Sequence, residues 1–289
     1  PELGIAGLNF VLGDVDRETQ VHGLAAVLGF VSLTGITGLT LGGGFGYLTR
    51  RWGWTSDNVV GMDEVNADAR LVRASIDENA DLFWGLRGGG GNFGVVTGID
   101  YNLYPVGPEI VGGLVAWPGS EAPGVLELYR TLAENAPPEL TLVAMLRLAP
   151  PAPWIPKDWH GKLIVGLLAC YTGKPGEGEK LVAPIKSFGN PIGDVLVRRP
   201  YAQLQSLLDA TQPKGRRYYW KSEYLSSIEP ELCAKIIEDA ANIRSPHSAI
   251  ALFQIGGALN RLDQDYSPAG NRDAKYVLNI PGSWERADE

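Results

Sequence analysis

Cysteine is nearly absent from this 289-residue chain, which has Cys170 and Cys233 and no others. Two thiols cannot build the multi-bridge framework of a small secreted domain, and no C-x-x-C pair exists for metal or redox work. A single Cys170–Cys233 bridge is one option; two separate core thiols are the expectation. Histidine is equally sparse, and His22, His160 and His247 are too dispersed to suggest a triad or a metal cluster. No metal site is expected. There is no G-x-S-x-G elbow and no G-x-x-x-x-G-K-[ST] loop, so neither a hydrolase nucleophile nor a P-loop can be read. Excess positive charge is also missing: 25 Lys+Arg against 33 Asp+Glu gives a formal charge of -8. Nothing in that balance draws the chain to phosphate backbones or anionic lipid, so no nucleic-acid partner is expected. The chain opens at Pro1 without a basic n-region or a cleavage site, and no targeting signal can be read.

Charge is missing locally too, from Gly23 to Thr49, where the small-residue spacing Gly38-x-x-x-Gly42 also occurs. A membrane span is not the expectation, because the stretch is rich in glycine, with Ser32, Thr34, Thr37 and Thr40 among them. Each Gly costs roughly 1 kcal/mol against Ala inside a helix. Irregular buried backbone is the better reading. Such backbone must find hydrogen-bond partners, and a large polar cofactor is one way to supply them.

What the chain does have is a globular composition, 45% hydrophobic and 20% charged, and length enough for one large or two ordinary domains. Glycine stands out: 24 of its 37 fall in the first 119 residues, giving two compositional halves. A helix is predicted over 11–22 with Asp14 as its cap, then the Gly/Thr tract, then a hairpin of strands 58–66 and 70–75 around Ala67-Asp68-Ala69. Asn79 is the expected cap of a short helix running into Gly88–Gly91, and strand 95–105 follows. Beyond a Pro/Gly junction come strands at 114–118, 140–149, 162–171, 216–225, 248–259 and 274–282. Helices are predicted at 123–136, 176–189, near 201–209 and at 230–243. That order suggests an antiparallel sheet with helices on one face.

Gly89-x-Gly91-x-x-Gly94 matches the dinucleotide fingerprint by letter, yet a helix precedes it and a strand follows, the reverse of the Rossmann context. The carboxylate pairs Asp63/Glu64 and Asp263/Asp265 could serve at a glycosidic bond but more often are solvated turn residues. Tyr219, Lys221 and Glu223 fall on one face of a predicted strand, where a cross-strand charge pair is the plain reading. Two glycine loops remain, Gly35–Gly46 and Gly88–Gly94. Outside a Rossmann context they suit close approach of backbone N–H groups to a cofactor or anion.

The segments GLTLGGGFGYLTRRWGWTSDN (38–58), DLFWGLRGGGGNFGVVT (81–97), YYWKSEYL (218–225), GGALNR (256–261) and RDAKYVLNI (272–280) resemble the berberine bridge enzyme-like flavoprotein oxidases. These belong to the vanillyl-alcohol-oxidase superfamily, with a flavin domain of the PCMH type. The resemblance covers nearly the whole chain. It implies an α+β fold: a partial PCMH-type FAD-binding domain over 1–107, then a partial substrate domain over 108–289 with a large antiparallel sheet flanked by helices. Carried over by motif, the FAD contacts are Val31, Gly35, Ile36, Thr37, Gly38, Leu39, Phe45, Gly91, Asn92 and Val96. Small side chains there would let N–H groups reach the pyrophosphate and flavin carbonyls, with Val96 packing the adenine end.

Relatives with doubly attached flavin carry Cys in a G-x-C-P-T context; this chain has Gly29-Phe30-Val31-Ser32-Leu33, which excludes a cysteinyl link. By the same resemblance, the segment with the flavin-linking His would precede Pro1 and a closing segment with a catalytic Tyr would follow Glu289. The chain therefore looks truncated at both ends. Ser267–Arg272 stands where relatives usually have a Phe-Pro-His-Arg-like stretch, so that loop's substrate role is not carried over.

The implied function is an FAD-dependent oxidase passing a hydride from a CH–OH or CH–NH carbon of a small metabolite to flavin N5, with oxygen as acceptor. The candidate base lies among Tyr219, Lys221 and Gln254, with Asn279 as a polar neighbour. The alternative is a truncated or degenerate flavin fold that binds a small molecule without redox chemistry.

Overall fold

The structure is a computed structural model and describes residues 1–7 and 9–288. By contacts the chain divides into two compact units. The first comprises residues 1–109, 200–209 and 256–273; the second comprises 110–199, 210–255 and 274–289.

The first unit is built on a four-stranded antiparallel sheet of β1 (Glu2–Ala6), β2 (Val59–Asn66), β3 (Leu71–Ser75) and β4 (Gly94–Asn102), in the order β1-β4-β2-β3. The β2–β3 hairpin forms where expected. Asn66 Oδ1 accepts the N–H groups of Asp68 and Arg70 at 3.0 and 3.1 Å, and Ala69 takes the left-handed conformation that closes the turn. Helix α1 (Leu12–Gln20) buries Leu12, Val15, Asp16 and Thr19, one face at helical spacing. Its cap differs from expectation. Val11 holds the cap position, and Asp14, at the third helical residue, accepts the Val11 N–H at 3.0 Å.

Part of the Gly/Thr tract is helical as well, as α2 (Ile36–Leu41). Burial of Ile36 and Leu41 in the core outweighs the weak propensity of the segment. The single turn α3 (Thr49–Trp52) and α4 (Ala80–Leu86) complete this part. Asn79 precedes α4 but does not cap it by side chain: it is left-handed, and its Nδ2 donates to Arg73 O at 2.7 Å.

The second unit is an eight-stranded antiparallel sheet with helices on one face. Its long elements, in chain order, are β5 (Glu109–Pro118), α5 (Ala122–Asn135), β6 (Leu140–Leu148), β7 (Leu163–Tyr171), α6 (Pro175–Lys186), β8 (Arg217–Leu225), α7 (Pro230–Ala240), β9 (Ala249–Gln254) and β10 (Tyr276–Trp284). From the short strand Gly193–Asp194 the order runs β5-β7-β6-β9-β10-β8, and Val197–Pro200 also pairs with β5. One parity of side chains, including Val115, Leu142, Leu167, Leu252 and Tyr276, packs with Val125, Leu126 and Tyr129 of α5, Val182 of α6 and Ile236 of α7. Each such aliphatic side chain, fully buried, contributes roughly 1.5–3 kcal/mol.

The strand expected over 248–259 stops at Gln254, because 256–273 leaves the sheet for the first unit. The two cysteines are free and buried. Cys170 pairs in register with Thr141 on the helix-free parity, whereas Cys233 belongs to α7 and packs among the core on the helix face. No helix among the described residues is long and apolar enough to cross a membrane.

Candidate functional site

Two glycine loops of the first unit are tied together, the Gly90 N–H donating to Leu41 O at 2.9 Å. Gly35 precedes α2 at φ -67°, a conformation open to any residue, and Gly38 lies inside α2. The loop after α2 turns through Gly43 and Gly44 at φ 99° and 74°. A β-carbon on Gly46 would lie 1.9 Å from Leu28 O. The fold itself requires these last glycines.

Gly35, Gly38 and Gly91 are different. A β-carbon on any of them would meet nothing within 4 Å. Packing of the chain makes no demand for glycine there. Bare backbone beside open space is what close approach of a large planar or phosphorylated ligand requires, and these three are among the positions expected to touch FAD. The residues present therefore fit the group.

The other expected contacts are placed as follows. Ile36 and Val96 bury their side chains in the core; the Ile36 N–H donates to Phe10 O at 3.1 Å, and Val96 pairs with Glu64 in the sheet. Thr37, Leu39 and Val31 are half-buried, and Asn92 is exposed with its Nδ2 donating to Gly89 O at 2.6 Å. The Phe45 ring packs edge-on against Phe30 and Trp54 at 5.8 and 6.0 Å. Behind α2, Thr40 Oγ1 donates to Ile36 O at 2.8 Å and is bonded to the Tyr101 hydroxyl, whose pKa burial pushes up.

The excursion 256–273 belongs to this unit, and sequence reasoning missed it as a part of the glycine-loop region. Arg272, 1% exposed, donates to both Asp57 oxygens at 2.9 and 2.7 Å and to Ser267 Oγ at 2.7 Å. Trp84 Nε1 donates to Asp265 O at 2.9 Å. The Arg87 guanidinium lies 4.6 and 4.8 Å from the Phe83 and Tyr266 rings. Ala269 fills the space that side chains on Gly43 and Gly88 would need. Both glycine loops are thus held against one strap. A second excursion adds the buried Gln205, whose Nε2 donates to Gly29 O at 2.6 Å, and Asp209, which accepts the Ser32 N–H and hydroxyl at 2.8 and 2.5 Å.

In the second unit, Tyr219 and Lys221 share one face of β8 with Glu223, as period-two spacing requires, and Lys221 Nζ lies 5.8 Å from the Tyr219 ring centre. Leu225 continues that parity into the core, so it is the helix-bearing face. Gln254 is buried on the same face, where Nε2 donates to Ala133 O at 2.7 Å and Oε1 accepts the Leu142 N–H at 3.3 Å. Its amide is occupied by backbone. Asn279 faces the other way, accepting the Ser222 hydroxyl at 3.0 Å. Tyr219 and Lys221 are thus brought together, while Gln254 and Asn279 are set apart from them. The helix-free face of β8 carries Tyr218, Trp220, Ser222 and Tyr224, with Tyr224 pushed up in pKa by burial. The parity of Leu225 was the available signal for that division.

Residues 7–75 match the FAD binding domain family. In sequence the chain is 33% identical over 269 residues to an FAD-linked oxidoreductase of Dictyostelium discoideum, covering 92% of this chain and 57% of that protein. It is 32% identical over 204 residues to (R)-6-hydroxynicotine oxidase of Paenarthrobacter nicotinovorans, covering 70% and 42%. In fold it is similar to 6-hydroxy-D-nicotine oxidase of Arthrobacter nicotinovorans (TM-score 0.79, 22% identity, 99% of this chain and 62% of that one). It is likewise similar to a berberine bridge enzyme-like protein of Physcomitrella patens (TM-score 0.82, 19% identity, 99% and 63%). The chain spans less than two thirds of the length of these relatives. Sequence and fold agree: the chain is similar in sequence to FAD-linked oxidoreductases and in fold to a berberine bridge enzyme-like protein, and the cofactor of the matched domain is FAD.

Proposed function

We propose that the protein containing this chain oxidises a small metabolite at a CH–OH or CH–NH carbon, with oxygen as the terminal acceptor. The observation that carries the reading is the bare backbone of Gly35, Gly38 and Gly91 facing open space on two loops joined through Gly90 and Leu41. When bound, FAD supplies the hydride acceptor at flavin N5. The chain's own contribution is to hold it: the backbone of Gly35–Leu39 and Gly91–Asn92 comes to close range, with the N–H groups of Ile36 and Leu39 already given to Phe10 O and Gly35 O. Val31, Phe45 and Val96 are the remaining proposed contacts.

The proton that leaves with the hydride needs a side-chain acceptor. The acceptor proposed on this chain is Tyr219, whose ring centre lies 5.8 Å from the Lys221 ammonium. Its position on the helix-bearing face counts against it, so Tyr219→Phe is informative. Lost turnover at full FAD content keeps Tyr219 in the chemistry, and unchanged turnover removes it. The oxygen half-reaction is tested without knowing the substrate. FAD-loaded protein is reduced with dithionite under nitrogen, then mixed with oxygenated buffer while flavin absorbance is followed. Recovery faster than free reduced FAD, with hydrogen peroxide formed, supports an oxidase; recovery no faster defeats oxygen as the acceptor.

A further inference from the structure

Strand β8 is the outer edge of the large sheet, bonded to β10 on one side and to no second strand among the described residues. It runs nine residues without proline or glycine, and every residue but Leu225 is exposed. Natural proteins normally blunt such an edge. This one carries the charges of Arg217, Lys221 and Glu223 and also presents Tyr219 and Trp220, 61% and 50% exposed, beside Ile280. The Tyr224 N–H donates to Glu223 Oε1 at 3.3 Å, which places that donor on the open side of the strand. With the period of two, the backbone groups of Trp220, Ser222 and Tyr224 face outward together.

We propose that this edge pairs with the same edge of a second copy, antiparallel and centred on Ser222. Set against its own reverse about that residue, the strand places Lys221 opposite Glu223, Trp220 opposite Tyr224 and Tyr219 opposite Leu225, each pair occurring twice by two-fold symmetry. The faces agree as well. Trp220 and Tyr224 share the helix-free face, Lys221 and Glu223 the helix-bearing one, and a two-fold axis normal to the sheet keeps each face with itself. Ser222 against Ser222, with Trp220 against Tyr224 on either side, supplies about six backbone hydrogen bonds, two of them made by the Tyr224 N–H groups in exchange for their bonds to Glu223 Oε1. Moving the centre by one residue destroys the match. About Lys221, lysine meets lysine and Trp220 meets Ser222; about Glu223, glutamate meets glutamate and Lys221 meets Leu225. The complementarity of charge and ring thus selects one register and one kind of partner, another copy of this chain.

Sedimentation velocity across the micromolar range is expected to show a concentration-dependent dimer. Lys221→Glu or Glu223→Lys alone sets like charges opposite each other twice and is expected to weaken association about tenfold or more. The double variant Lys221→Glu/Glu223→Lys recreates the pair and restores association. Ser222→Cys puts two thiols at directly opposed positions within disulfide reach. Mild oxidation should then give a linked dimer on a non-reducing gel, with Cys170 and Cys233 buried and silent. The cross-link and the wild-type measurement stand even where a charge variant folds poorly. A monomer at every concentration, or a dimer indifferent to Lys221→Glu, overturns the proposal. So does a double variant no better than the single ones, a Ser222→Cys dimer that fails to link, or another segment or protein found on the edge.

Discussion

Replacing Gly38 with alanine separates folding from flavin binding in one residue. Gly38 lies inside α2, its β-carbon would meet nothing within 4 Å, and its backbone is helical. Alanine is favoured over glycine in a helix by about 0.8–1.0 kcal/mol, so Gly38→Ala is expected to gain up to about 1 kcal/mol of stability. The same methyl group intrudes into the space assigned to FAD. Forcing an added methyl or methylene into a filled contact costs typically about 1–3 kcal/mol, which corresponds to roughly a 5- to 150-fold loss of affinity. The assay pairs a urea melt of the apoprotein with an FAD titration followed by flavin fluorescence. A raised midpoint with weakened binding is the expected result. Unchanged FAD affinity would refute the placement of the cofactor on this loop, and a lowered midpoint would refute the claim that the fold leaves this glycine free. Gly46→Ala is the control: its β-carbon would clash with Leu28 O at 1.9 Å, so that variant is expected to lose its fold.

Asp57→Asn should leave the buried Arg272 guanidinium without its counter-charge at a cost of about 3–5 kcal/mol. Cleavage within 256–273 in limited proteolysis should precede any other cut, and a strap as protected as in the wild type contradicts that assignment. Asp16 is buried with neither carboxylate oxygen hydrogen-bonded, and burial pushes its pKa up to about 8. The native state therefore binds more protons than the unfolded one between the unfolded value of 3.8 and about pH 8. Stability is full below that window and falls as pH rises through it, by at most about 4 kcal/mol at pH 7. Asp16→Asn should flatten this profile and raise the urea midpoint at pH 7 to 8; parallel profiles for the two proteins would contradict the reasoning. Native protein should leave Ellman's reagent unreacted at both thiols, since Cys170 and Cys233 are buried and raised in pKa by burial; rapid reaction of either disproves that.

Local chemistry was legible in the sequence, and long-range contact was not. The 66–70 turn followed from two strand-like segments flanking Ala67-Asp68-Ala69, and the large antiparallel sheet from its run of strands and intervening helices; the Asn66 side chain that holds the turn emerged only in the structure. The helix face of α1 was readable, but Asp14 acts from the third helical residue and Asn79 turns its amide to Arg73, because more than one geometry satisfies the same donor. Edge strand β1, with a half-exposed alternation, carries little apolar signal of its own. The strap was invisible for another reason: Arg272 and Asp57 lie 215 residues apart, and nothing local marks the pair. In the candidate site, spacing placed Tyr219 with Lys221 but could not say which face they occupy. That depends on which parity of β8 runs into the core at Leu225.

The central claim is that this chain's two glycine loops hold FAD, and the most direct test is an absorbance scan of the purified chain before and after incubation with FAD and desalting. Retained flavin absorbance, with a shifted band shape and reduced retention in Gly38→Ala, is the predicted result. A folded chain that stays colourless after incubation would contradict it.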